Sequence, residues 1–257
     1  MKKKIIYEHP LTETARSYLR LEHLFSAMLY HLKGPTAWDS RSVLSNALDI
    51  IELLGRVDFK NELVDDLTIQ LQTLERWQRT PDVNSERITA LLTGVQDVLN
   101  RLQTVDMAVA IEHFSQHHLF SVIKQRKGII GGTSSSDVTI LHQWLHKNPK
   151  QRQYDTNEWL QPIEPLREAL EATLYLVRQN ALVSQQTATE GFYQSKLEAS
   201  GDYQLIQVSL PPEQVYYPEI SGGKQRFTVR FYEQENLANR PRQTEQDIQF
   251  ELSCCMI

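Results

Sequence analysis

The sequence predicts an α+β fold, helices first and sheet last. From about Thr12 to Asn180 apolar residues recur every three or four positions, which places them along one side of each helix. After the stretch QNALVSQQTATEG they alternate with polar residues, the period of a strand with one wet face. Pro211-Pro212 and Ser221-Gly222-Gly223 punctuate that second region, as turns between antiparallel strands require. The change of period divides the chain into a helical domain, residues 12–182, and a β domain, residues 183–257, which residues 2–9 join as an added strand. No internal repeat is present.

Each element has its own signal. Lys4 to His9 reads as the N-terminal strand, and helices follow over Leu11 to Leu32, Ser42 to Leu54 and Phe59 to Trp77. The clearest stripe is Ile88, Leu91, Leu92, Val95, Val98, Leu99 and Leu102, behind Asn84 or Ser85 as N-cap. Shorter helices fill Asp106 to Lys127 and Ser136 to His146, and Ile163 to Val177 closes the bundle. Among the strands, Tyr203 and Leu205 alternate with Gln204, Ile206 and Val208 until the proline pair. Phe227, Val229 and Phe231 alternate with Thr228 and Arg230, and Ile248, Phe250, Leu252 and Cys254 with Gln249, Glu251 and Ser253. The glycines at 222 and 223 supply the positive φ of a tight reversal before the second of these strands.

The chain of 257 residues is 40% hydrophobic and 23% charged, ordinary for a globular protein, and its net charge of −5 confines any polyanion site to a local patch. MKKKIIY is cut off by Glu8, His9 and Pro10 before it becomes an export signal, and no apolar run approaches a membrane span, which points to the cytoplasm. Cys254 and Cys255 are adjacent, so they cannot build a disulfide framework or a four-cysteine zinc site. CCMI places Cys254 where a prenylation signal has its cysteine, but a strand end explains the same residues better.

Several chemistries are testable in the sequence. A P-loop ending at Lys224 fails because Pro218 stands at the first glycine position and Gln225 at the hydroxyl position. HQWLH sets His142 and His146 four apart on a helix, yet Gln143 replaces the glutamate of a metalloprotease and no third ligand is specified. In GIIGGTSSSD the hydroxyl cluster precedes a helix start; Ser136 or Asp137 as N-cap explains it better than a bound anion, which Asp137 would repel. Arg16, Arg20 and His23 share one helix face, and Arg226 and Arg230 stand on the strand face opposite Phe227, Val229 and Phe231. Guanidinium groups on a rigid strand suit carboxylate partners. No catalytic triad, carboxylate pair or cofactor fingerprint emerges, so no catalytic residue, cofactor or metal is expected.

YEHPLTETARSYLRLEHLF, TILHQWLH, FYQSKL, YYPEISGGKQRFTVRF and FELSCC, ordered along nearly the whole chain, resemble the ZapD family of bacterial cell-division proteins. The resemblance implies a non-enzymatic factor at the mid-cell division site. Such a factor binds the C-terminal tail of the tubulin-like protein FtsZ, bundles its protofilaments as a homodimer and stabilises the Z-ring, without nucleic acid or membrane insertion. That tail is an acidic and apolar peptide, which gives weight to Arg226 and Arg230 first, then to Arg20, His142, His118, Arg16 and Lys224. The alternatives are a hydrolase or metal-dependent enzyme using His142 and His146, or a nucleic-acid-binding module on the Arg16 and Arg20 face.

Overall fold

The computed structural model describes residues 4–79, 85–223, 225–234 and 236–257. The chain divides into two compact units, one of Met1–Leu19 with Leu174–Ile257 and the other of Arg20–Thr173. In chain order the elements are β1 (Ile5–Pro10), α1 (Glu13–Leu32), α2 (Ala37–Leu54), α3 (Phe59–Gln78), α4 (Ser85–Thr104), α5 (Met107–Gln116), α6 (His118–Arg126), α7 (Thr139–Leu145), α8 (Pro149–Leu160) and α9 (Glu164–Gln179). There follow β2 (Ala181–Ala188), β3 (Phe192–Lys196), β4 (Tyr203–Leu210), β5 (Tyr216–Gly223), β6 (Arg226–Glu233), β7 (Arg242–Gln243) and β8 (Ile248–Met256). The fold is α+β, as the sequence predicts.

In the unit Arg20–Thr173, side chains at the helix starts fix where the helices begin. α2 begins five residues before the apolar stripe suggests, because Thr36 and Asp39 close a reciprocal capping box. Asp58, Asp106 and Asn148 accept first-turn N–H groups of α3, α5 and α8, and Pro149 occupies the first position of α8. On α4 the stripe resolves to Ile88, Val95, Leu99 and Leu102 as its fully buried members. Of the two expected caps, Ser85 is the first helical residue and Asn84 lies outside the described residues.

Three features of this unit differ from the sequence reading. The span Asp106 to Lys127 is broken at His117, whose extended backbone (φ −71°, ψ 109°) accompanies a ring set edge-on against Phe120 and Trp159. The cap of α7 is Val138, without a side-chain bond, rather than Ser136 or Asp137. The Asp137 carboxylate instead accepts the Ser134 hydroxyl, which folds the loop back on itself one turn early. Finally, α8, whose polar sequence carries no stripe, buries Arg152. Its guanidinium donates to the carbonyls of Leu145, Lys147 and Pro35 and to the Ser40 hydroxyl, tying the end of α7 to the start of α2.

In the other unit the expected single sheet with a wet face is corrected to two antiparallel sheets, ordered β1-β4-β8-β2 and β3-β6-β5, with β7 also on β6. Their inner faces share one core: Ile206, Val208, Leu210, Ile248, Phe250 and Leu252 from the first sheet meet Phe227, Val229 and Phe231 from the second. The alternations read from β6 and β8 point these side chains inward as expected. β4 is buried on both faces, Leu205 and Ile206 being equally inaccessible, because the far face of this sheet is covered too; a register shift follows Tyr203. On that covered face Glu8 accepts two bonds from Arg178 at 2.9 and 2.8 Å and one from Gln207 at 2.7 Å.

Both cysteines lie in β8, hydrogen-bonded into the sheet between β4 and β2. Burial, with Glu8 and Cys254 adding to it, pushes the Cys255 thiol up to about 12, so at neutral pH it stays protonated and packs as an apolar group.

Candidate functional site

β6 presents Arg226, Thr228 and Arg230 on the side away from the core, because its inward positions are taken by Phe227, Val229 and Phe231. The two arginines lie four residues apart, about 13 Å at about 3.3 Å per residue. Register sets their neighbours: Arg230 lies between Phe192 of β3 and Glu219 of β5, and Arg226 between Lys196 and Gly223. The Arg230 guanidinium sits 5.4 Å from the centre of the Phe192 ring, which gives the cation an apolar floor. Both arginines are exposed, and among the described residues neither forms an ion pair. A depression of about 770 Å³ runs over this face, lined by Phe192, Gln194, Ser221, Gly223, Arg226 and Arg230.

The glycine pair does something other than turn the chain. Gly222 and Gly223 are the last residues of β5, and the positive-φ glycines described are Gly131 and Gly191, so the left-handed conformation expected here is absent. Gly222 is required for space: it pairs with Phe227, and a Cβ on it would come within 2.5 Å of the Phe227 Cβ. Gly223 and Arg226 are register partners, and Lys224 falls outside the described residues.

Behind the glycine end stands His9 of β1. Burial holds its imidazole below the usual range near 6.5; a hydrogen bond to the Gly222 backbone opposes this and the charge of Arg16 reinforces it. At neutral pH the ring is therefore uncharged, and among the described residues its buried Nε2 has no partner. His9, Phe192 and Gln194 belong to this site or its support and escaped the sequence reading. The period-two alternation of Phe192, Gln194 and Lys196 was the available signal for β3.

The remaining sequence-predicted residues divide between the units. Arg16, with Arg226 and Arg230, belongs to the unit of sheets, and pairs with Glu13 at 3.4 Å. Arg20, His118 and His142 belong to the helical unit, exposed on α1, α6 and α7 respectively. His142 and His146 approach to 4.4 Å between ring centres, but His146 Nδ1 is taken up by the His142 carbonyl at 2.8 Å. Among the described residues no group of three or more His, Cys, Asp or Glu is placed to hold a metal. Nor is any described helix long and apolar enough to cross a membrane.

The site is thus a rigid, open, cationic face with an aromatic floor, suited to holding an acidic segment. Residues 19–230 match the family model of the cell division protein ZapD. Proteins named cell division protein ZapD from Methylococcus capsulatus, Aromatoleum aromaticum and Klebsiella pneumoniae are 34%, 32% and 34% identical to it. These alignments cover 100%, 98% and 98% of this chain and the same shares of the relatives. A family match over most of the chain, with full-length relatives above 30% identity, shows that the chain belongs to the ZapD family of cell division proteins.

Proposed function

We propose that the chain acts in cell division by binding the acidic, apolar C-terminal tail of FtsZ in the cytoplasm, at the mid-cell division site. As a homodimer it cross-links FtsZ protofilaments and so stabilises the Z-ring, without catalysing a reaction. The observation that carries this reading is the pair of exposed arginines, Arg226 and Arg230, on one strand face with Phe192 beneath the second. Guanidinium groups bind carboxylates in a two-pronged geometry, and the ring offers an apolar residue of the peptide a dry contact. Family membership supports the cellular setting.

The test is sedimentation of the full chain with polymerised FtsZ, with and without its C-terminal tail. Co-sedimentation that requires the tail and weakens as salt rises supports the reading, because screening shortens the Debye length from about 10 Å at 0.1 M to about 3 Å at 1 M. Equal binding to tail-less filaments overturns it.

A further inference from the structure

The stretch GIIGG forms a tight turn in the helical unit. Gly132 N–H donates to the Ile129 carbonyl at 2.9 Å, and Gly131 takes φ +70° at the third position, where only glycine is comfortable. Gly132 is equally constrained, since a Cβ there would lie 2.7 Å from the Ile129 side chain. The consequence is that Ile130 occupies the corner of a rigid turn at 104% exposure, with Ile129 half-exposed beside it.

Cations surround the base of this turn. Arg41, Arg126 and Lys127 line a pocket of about 200 Å³ together with Ile129 and Thr133. Arg41 donates to the Thr133 carbonyl at 2.8 Å and lies 5.5 Å from the ring of Trp38, itself 77% exposed. Lys127 is neutralised by Asp49 and Glu52, whereas Arg126 makes no ion pair among the described residues.

The turn holds Ile130 out in water with Ile129 beside it, so an apolar environment brought against this tip gains about 25 cal/mol for each Å² of apolar surface it removes from water. Hydrocarbon lying just beneath anionic headgroups matches that combination of an apolar tip and cations at its base. We propose that this turn is a peripheral docking surface for an anionic phospholipid membrane, Ile130 entering the acyl boundary while Arg41 and Arg126 meet headgroup phosphates. This is a surface contact rather than a span. It goes beyond the filament-binding reading and departs from the sequence-based expectation of no membrane insertion.

The experiment is co-sedimentation of the full chain with vesicles of phosphatidylcholine alone or mixed with phosphatidylglycerol, in the absence of FtsZ, so the outcome is independent of tail binding. Binding to the anionic vesicles alone is expected, falling as salt rises. Ile130→Ser should weaken it about tenfold, from loss of the inserted side chain, and Arg126→Glu should weaken it further. Ile130→Trp should retain it, since indole favours the interface. Unchanged circular-dichroism melts would show that these exposed substitutions leave the fold intact. The proposal is overturned if the two vesicle types bind alike, if Ile130→Ser binds anionic vesicles as the parent does, or if inorganic phosphate saturates the pocket while vesicles do not bind.

Discussion

At Arg230 an exposed charge lies over an exposed ring, and the two contribute differently. The guanidinium supplies the attraction for a carboxylate, while Phe192 holds it in one orientation and is worth about 0.5–1 kcal/mol at such a site. Arg226→Glu or Arg230→Glu should therefore abolish binding of a tail peptide, measured by fluorescence anisotropy, with the melting temperature unchanged. Phe192→Ala should weaken the same binding only severalfold; no change would remove the ring from the site. Gly222 sets the opposite limit, because its neighbours are the Phe227 Cβ and the backbone at Phe227 and Arg226 rather than a flexible side-chain end. Gly222→Val should force β5 and β6 apart at the Gly222–Phe227 pair and lower the urea midpoint, an effect that a normal denaturation curve would rule out.

Among the elements, α7 and α8 depend on a single buried cation. Arg152 is 5% exposed and faces backbone carbonyls and a hydroxyl rather than a carboxylate, so its charge is satisfied only while the α7–α8 corner keeps its shape. Arg152→Met leaves those acceptors buried and unpaired, at about 1–3 kcal/mol for each that finds no water. A loss of about 3 kcal/mol or more is expected in urea denaturation, with Arg152→Lys recovering part of it. A near-neutral Arg152→Met would show that water fills the gap. The sequence missed this corner because α8 has no apolar stripe to reveal it, its burial being carried by Arg152, Thr156 and Leu160. β2 and β5 were missed for a related reason: most of their side chains face solvent, so no alternation marks them.

For the whole molecule, two histidines make stability depend on pH. Burial lowers His9 and His117; the Gly222 bond and the Arg16 charge modify the first, and the charges of His113 and His118 lower the second further. Because the folded values lie below the ordinary one near 6.5, the unfolded chain binds more protons in that window. Stability should thus be constant above about 6.5 and fall as the pH drops below it, read as melting temperature against pH. Glu8 adds a second loss at lower pH: burial alone would raise it, but the bonds from Arg178 and Gln207 outweigh that and hold it below 4.5. A melting temperature that is flat from about pH 7 to about pH 5 would contradict the histidine assignment. The proposed bundling needs more than one chain. Holding two filaments requires two tail sites, and a twofold dimer duplicates every site. A variant made monomeric should bind an isolated tail peptide as the parent does, yet leave filaments unbundled in light scattering; bundling by the monomer would place two sites on one chain.

The sequence by itself determined the fold class, the helical stripes, the inward alternation of β6 and β8 and the shared face of Arg226 and Arg230. Each of these is a periodic property, and periodicity follows from backbone geometry that neighbouring residues fix together. It also determined family membership, which rests on ordered segments rather than on contacts. Only the tertiary structure decided that two sheets share a core, that Phe192 comes under Arg230, that Gly222 serves close approach rather than a turn, and that Arg152 is buried. Apart from the Gly222–Phe227 pair, these facts join residues tens to more than a hundred positions apart, such as Phe192 with Arg230 and Arg152 with Pro35. Strand register and helix packing, which no local pattern encodes, bring such residues together.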